Sequence, residues 1–584
     1  MKWPRTNRAA KEILVDKAGR IMSMKVVRSE HGMAALVALV MVGMLTLLGL
    51  AALSSSDDEV KISGNQMQET RAFYASEAGL EKATASIQST FELTGVPPTD
   101  MPVGTDSINS CAVNYTTRDN GPATQQVLTS GTLAGLHALV KSFTVTSTGA
   151  SAVDRAKVVL SQSFETDLIP LFQFAVFYGT DLEVAPGPQM TLLGRVHSNG
   201  NLYIQSDNAL RLDSYVTASG HIIHGPKASG KTVGTGDVLI KNAAGAYTSM
   251  KLGSGWLDGT YSKWYDSSIA RWNGRVQDVS HGQGPLNLPL TNSSDPHKLI
   301  EPATGNPDSY ENKATLKFVN GKALSLESGI WVDHTADMLA KGIIKYTADQ
   351  YTDAREGKKV DCTELDVSLL YDNTKGPYAG ISYAPVNGVV YFSDNIGGPS
   401  EWPGLRIKNG AEIKSTITTQ NTNGGLTIAS QNPVYTQGDY NKTNKKPAAI
   451  MADAITFLSV TWNDANSAGA KATRVAGNTT VNCSYVTGNV ATVGAAYSGG
   501  FENLPRFLET WYGKTFTWTG SAVNLWTSRQ ATGSWNGTYY DPPNRVWSYD
   551  TDLDNPNKLP PETPVVRVFQ RNGWEQSYVD YNGH

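Results

Sequence analysis

Four groups of residues have types and spacings that could do chemistry. Residues 225–232 read G-P-K-A-S-G-K-T, the G-x4-G-K-[ST] pattern. In that pattern a glycine loop cradles phosphate at a helix N-terminus, with Lys231 on the phosphate and Thr232 on magnesium. The next residues, Val233, Gly234, Thr235, Gly236 and Asp237, cannot make the required helix, and the run ending at Asp453 that could mimic a magnesium strand lies far downstream. The segment therefore reads as a turn. Asp550, Asp552 and Asp554 occupy positions 1, 3 and 5 of a calcium loop, but position 6 is Asn555, position 7 is Pro556 and position 12 is Pro561, with Glu562 one residue late. An exposed acidic turn is the plainer reading, and these three carboxylates are the one metal candidate. No cofactor is implied. The nine histidines form no HExxH and no G-x-S-x-G elbow occurs; His197 reads as a turn residue at a repeat corner. Trp511, Trp518, Trp526, Trp535 and Trp547 could form a platform for sugar or a surface partner, with buried sheet packing as the default.

The composition narrows the classes. A chain of 584 residues is too long for one ordinary core. With 49 basic and 53 acidic residues it has no general pull toward nucleic acid. Its 17% charge is low, and 55 Gly, 27 Pro and 25 Tyr point to turn-rich β structure. Cys111, Cys362 and Cys483 form no CxxC, so zinc ribbons and iron–sulfur clusters are excluded and at most one disulfide can form.

The elements that would carry any site begin at the N-terminus. Residues 33–53 are an uncharged apolar run, long enough to cross a hydrocarbon core of about 30 Å. Lys2, Arg5, Arg8, Lys11, Lys17, Arg20, Lys25 and Arg28 precede it, against Glu12, Asp16 and Glu30, which puts the N-terminus in the cytoplasm and the rest across the membrane. The run is too long for a secretory signal. Helix formers then continue without proline to about Leu93, and Gly95 ends the helix. Val60, Met67 and Tyr74 recur every seven residues, as do Phe73, Leu80 and Ile87, predicting one wide apolar stripe. Residues 142–148 and 154–161 alternate around a Gly/Ser turn and predict a hairpin. Beyond residue 170, short strands at 181–184, 201–204 and 221–224 repeat every twenty residues, as do 190–192 with 210–212 and Val196 with Val216. That period predicts rungs of a parallel β-helix, against an all-β meander as the rival.

The run HGMAALVALVMVGMLTLLGLAAL, followed by Ala72-Phe73-Tyr74-Ala75-Ser76-Glu77-Ala78-Gly79-Leu80-Glu81, resembles the N-terminal segment of PilX-type minor pilins. The resemblance covers about the first hundred residues. It implies cleavage after Gly32 by a prepilin peptidase and N-methylation of Met33. It also implies filament packing through Val37, Val60, Met67, Phe73, Tyr74, Leu80 and Ile87. Major pilins carry glutamate where this chain has Val37, an absence that suits a filament tip. The organisation expected is a leader (1–32, starting at Met1 or Met24), a transmembrane helix (33–53), an outer helix (54–95) and a small pilin-like sheet (96–168). A β-solenoid ectodomain (169–465, with an irregular insertion at 241–380) and a Trp-rich C-terminal β region (466–584) follow. The fold class is thus an α+β pilin-like module followed by a mainly-β ectodomain. The function expected is that of a structural, non-enzymatic subunit in pilus assembly or surface adhesion. Its partners are other pilins, the prepilin peptidase, the inner-membrane assembly machinery and an unidentified surface ligand. It would be an inner-membrane precursor first and a cell-surface protein later. The rivals are a type II secretion pseudopilin and a membrane-tethered polysaccharide-acting enzyme.

Overall fold

The computed structural model describes residues 31–578 except 97–98, 154–155, 292, 396–401, 499 and 536; most of the leader lies outside them. Strong helix formers and the absence of proline give one 64-residue helix, α1 (His31–Thr94). Gly95 ends it in a left-handed conformation (φ +67°), its N–H donating to the Phe91 carbonyl at 2.9 Å. Within the apolar run the one hydroxyl, Thr46, donates to the Val42 carbonyl at 2.7 Å, so no polar side chain there is left unpaired.

The single stripe predicted for α1 is not what forms. At 3.6 residues per turn the two heptad series lie about 140° apart. Leu80 and Ile87 are buried with Phe73 packed beside them, whereas Val60, Met67 and Tyr74 are 69, 49 and 58% exposed on the other side.

The buried side of α1 lies on an antiparallel sheet of β1 (Gly104–Ile108), β2 (Cys111–Asp119), β3 (Thr124–Val127), β4 (His137–Ser151) and β5 (Lys157–Pro170). The order is β1-β2-β4-β5, with β3 also on β4. The predicted hairpin is β4–β5, with Thr146 opposite Ser161. The sheet is completed from the far end of the chain: Val565–Tyr578 pairs with β5. The reading that assigned residues 466–584 to one separate region is corrected by this pairing.

The ectodomain is coiled and largely parallel. Leu182–Val184, Leu202–Ile204 and Ile222–His224 stack in register, as do Met190–Leu192 and Ala209–Leu212, at the twenty-residue offset seen in the sequence. The third wall belongs to a twelve-stranded sheet, and its order is not sequential. From β6 (Phe174–Tyr178) the chain builds outward through Arg195–Ser198 and Val216–Ala218 to Val276–Gln277 at one end. It re-enters near the other end at Leu316–Val319 and builds back through Val389–Ser393, Leu426–Ser430, Ala448–Ala452 and Ser484–Asn489 to Ala522–Thr527, which pairs with β6. The first and last strands therefore meet mid-sheet. The segment taken as an irregular insertion (241–380) supplies the terminal strands at both ends and the connection between them, and residues 466–584 continue the same sheet.

That connection explains why the central strands are buried along their whole length. Alternate residues such as Val176, Val390, Ile428 and Ile450 fill the lumen. The intervening Phe177, Tyr391, Ala429, Met451 and Val523 are covered by Leu286, Leu288, Leu290, Leu299, Ile300 and Tyr310 of the crossing segment. A sheet covered on both faces reads as unbroken apolar runs rather than alternation.

Candidate functional site: the N-terminal helix and its seam

The A-F-Y-A-S-E-A-G-L motif has a steric purpose. Ala72, Ala75, Ser76, Gly79 and Ala83 follow the i, i+3, i+4 spacing of one helical face and are all buried. They let α1 approach the sheet backbone closely. A Cβ on Gly149 of β4 would lie 2.0 Å from the Ala72 carbonyl oxygen, and one on Gly79 would lie 2.5 Å from both Ser147 Oγ and Val113 Cγ1. At this contact the Ser76 hydroxyl donates to the Ser147 carbonyl at 2.7 Å. Ion pairs fasten the rim. The Arg571 guanidinium grips both oxygens of Glu81, one at 2.8 Å, and holds that carboxyl below its ordinary range; Lys82 pairs with Asp106 at 2.9 Å. Trp574 meets Phe73 edge-on at 6.4 Å. The sequence places Gly149 in the hairpin turn, whereas it lies within β4, and nothing local marks Arg571 or Trp574, because the role of all three depends on elements distant in the chain.

Among the described residues nothing packs on the opposite face. Met33, Val37 and their neighbours are exposed throughout the apolar run, as are Val60, Met67 and Tyr74 beyond it. The helix is long and apolar enough to cross a membrane. Residues 32–81 match the PilX N-terminal family. By this segment the chain is similar to PilX-type minor pilins. Among solved structures, the competence-associated pilin ComZ from Thermus thermophilus aligns at 13% identity over 88% of this chain and 98% of its own, with a TM-score of 0.28, too low to bear on fold or function. No curated protein matches the chain. Gly32 and Met33 stand in the first turn of α1, at the start of the PilX-type segment.

The other chemical candidates in this PilX-like chain resolve as structural. After Lys231 and Thr232 no helix follows; the chain runs to the rung strand Asp237–Lys241, and the Lys231 ammonium lies 5.5 Å from the centre of the Tyr497 ring. Asp453 is wholly buried. It accepts from the backbone N–H groups of Arg529, Gln530 and Ala531 at 2.6, 3.1 and 2.8 Å, and lies 3.4 Å from His297 Nε2. Burial alone would raise its pKa, but these bonds outweigh burial and hold it below the ordinary value.

At the calcium-like run the structure puts ammonium groups where a cation would sit. Lys445 Nζ is 2.6 and 2.8 Å from the two oxygens of Asp550 and 2.9 Å from Asp552, and Lys558 reaches Asp552 at 2.7 Å. Asp554 instead accepts from the Tyr549 hydroxyl. The acidic turn is therefore ion-paired through Asp550 and Asp552, which are half-buried, while Asp554 is exposed. Among the described residues no three His, Cys, Asp or Glu side chains are grouped to hold a metal.

His197 is not a turn residue. It lies within Arg195–Ser198, fully buried, between Thr217 Oγ1 (2.8 Å) and Asn199 Oδ1 (2.9 Å), and burial lowers its pKa to about 4. A Ser–His–Asp arrangement invisible in the sequence does occur. Ser268 Oγ is 2.7 Å from His281 Nε2, and His281 Nδ1 is 3.0 Å from Asp278. Ser268 is wholly buried within helix α2 (Trp264–Trp272) and donates to the Tyr265 carbonyl, so no substrate carbonyl can reach it. Of these five tryptophans, Trp511 and Trp518 are buried in the lumen with Trp535 and Trp547 packed against them, and Trp526 is buried on the covered outer face of the sheet. Cys111, Cys362 and Cys483 are buried in three different clusters and no two are bonded.

Proposed function

We propose that the chain is a structural, non-catalytic subunit of a type IV pilus or related filament, made as a single-pass inner-membrane precursor with its N-terminus inside. In this reading a prepilin peptidase cuts between Gly32 and Met33, Met33 is methylated, and the inner-membrane assembly machinery draws the subunit into the filament. The observation that carries the proposal is the division of α1 into two faces. One is clamped to the chain's own sheet. The other, apolar through Val60, Met67 and Tyr74 and continuous with the membrane run, is left uncovered among the described residues. A helix that is soluble in lipid and then packs against other helices needs such a surface.

Two features support a place at the tip, in assembly or surface adhesion. Val37 cannot answer the free amine of a subunit ahead of it, which a carboxylate does within an apolar bundle. The ectodomain, joined to the pilin-like sheet at its middle, extends to both sides of that junction and would obstruct tight packing in a shaft. The test is a set of single cysteines at Val60, Met67 and Leu80 in cells that assemble the filament. Oxidative cross-links to other pilins are expected at Val60 and Met67 and not at Leu80. Immunogold labelling should fall at filament ends. Uniform shaft labelling would refute the tip placement, and a purified protein still carrying residues 1–32 in cells with an active peptidase would refute the processing.

A further inference from the structure

The last strand, Val565–Tyr578, is an edge of the pilin-like sheet. Its inner side is paired with β5 along its length, apart from a bulge between Arg571 and Trp574. Among the described residues its outer side has one backbone bridge. Asn287, in the crossing segment, forms an isolated antiparallel bridge with Arg567, whose N–H donates to the Asn287 carbonyl at 2.9 Å. In an antiparallel strand successive residues turn their backbone groups to opposite sides. Since Arg567 faces outward, Phe569 and Arg571 do too, while Val568 and Gln570 face β5. Among the described residues no strand pairs with that outer side.

The unpaired edge borders a cleft of about 620 Å³ between the strand, α1 and the crossing segment. Gln88, Gln283, Asn287, Arg567 and Gln570 line it, and the carboxamides of Gln88, Gln283 and Gln570 are held by bonds to Glu92, to Thr132 and the Gly284 carbonyl, and to Asp167. An unpaired backbone ladder beside an open cleft suits an extended polypeptide better than a small ligand.

We propose that this edge takes an extended segment of a different filament subunit as an added strand, continuing the line that Asn287 begins. A second copy of the same edge does not fit. Pairing two such edges antiparallel puts the twofold axis perpendicular to the sheet. Because α1 lies along the face of that sheet, the axis would reverse it, and the two membrane runs would point in opposite directions. The proposal rests on the minor-pilin reading.

Full-length protein is purified in detergent, alone and from cells co-expressing the filament's other prepilins, and backbone hydrogen exchange is followed over residues 565–574. Alone, the amides of Phe569 and Arg571 should exchange at least tenfold faster than those of Val568 and Gln570. In the co-purified complex they should slow at least tenfold. Phe569→Pro removes the outward N–H and should abolish co-purification, whereas Phe569→Ala loses the same ring and should keep it. If both variants lose co-purification equally, or the complex forms with these amides still fast, the edge is not the docking place and the proposal falls while the minor-pilin reading stands. Slowing that depends on the concentration of the protein alone would make the occupant a second copy and also overturn it. Failure to co-purify with any prepilin would overturn the minor-pilin reading itself.

Discussion

Replacing Gly149 with alanine tests the seam between α1 and its sheet. The added methyl carbon would lie 2.0 Å from the Ala72 carbonyl oxygen and 2.8 Å from the Ser76 nitrogen, both backbone atoms that no rotamer change can move aside. Ordinary contact would require the helix to retreat by about 1 Å or more. Overpacking of this kind costs about 1–3 kcal/mol. Retreat also breaks the buried bond from Ser76 to the Ser147 carbonyl, worth about 1–3 kcal/mol when its groups are left unpaired. The sum is about 2–6 kcal/mol. A chain of this length with several separate hydrophobic clusters need not unfold in one step, so a global melting point is a poor gauge. Local hydrogen exchange across residues 72–87 and 143–149 is the better assay, and 2 kcal/mol corresponds to exchange about 30-fold faster. Gly64→Ala is the control. That glycine is helical with nothing within 4 Å of its added methyl, so alanine should stabilise by about 0.5–1 kcal/mol. Exchange through the seam unchanged in Gly149→Ala would show that helix and sheet do not approach this closely.

The two faces of α1 should separate by measurement: Ile87→Ala empties a wholly buried site and should cost about 2–5 kcal/mol by the same assay, while Met67→Ala should leave stability within about 0.5 kcal/mol and instead reduce recovery in filaments. Asp453→Asn should cost about 3 kcal/mol or more in urea unfolding at pH 7. Because the folded Asp453 lies below its ordinary value of 3.8, its contribution is complete above that value and lost as pH falls through the lower folded one, so the gap between variant and parent should close only in acid. Lys231→Ala should change neither assembly nor nucleotide affinity, measured by calorimetry, since no helix follows the loop to hold phosphate.

How much was legible in the sequence follows from the range of each signal. The membrane run, the long helix and the Gly95 stop are local, and the structure repeats them. The twenty-residue rungs between 181 and 224 were legible because three coils of equal length follow one another. Later rungs were not, because their spacing is uneven: Val389 pairs with Thr427, Leu426 with Ala448, Ala449 with Ser484 and Tyr485 with Ala522. The crossing segment resembled an insertion since its apolar residues keep no long period: Leu286, Leu288 and Leu290 alternate as in a strand, but Pro285 and Pro289 interrupt them, and Leu299 and Ile300 stand outside the pattern. At the site, the small residues of α1 were visible as a motif, but their reason was Gly149 on a distant strand. The mistaken single stripe arose from counting heptads within each series without comparing their phase.

The meeting of the first and last ectodomain strands has a mechanical consequence. A solenoid hung by one terminal coil would carry any pull through that coil and could peel open from it. Here the two chain crossings into the ectodomain, at Pro170 and Pro564, lie side by side, with the Leu171 N–H bonded to the Pro564 carbonyl at 2.8 Å. Tension on either arm therefore reaches the anchor through two adjacent strands sharing the load, at the point where the coil is flanked by rungs on both sides. Neither outer end lies on the load path, so their coils can vary in length or shape without weakening the attachment. Rungs coming away singly from an end under a pull on α1 would contradict this route for the force.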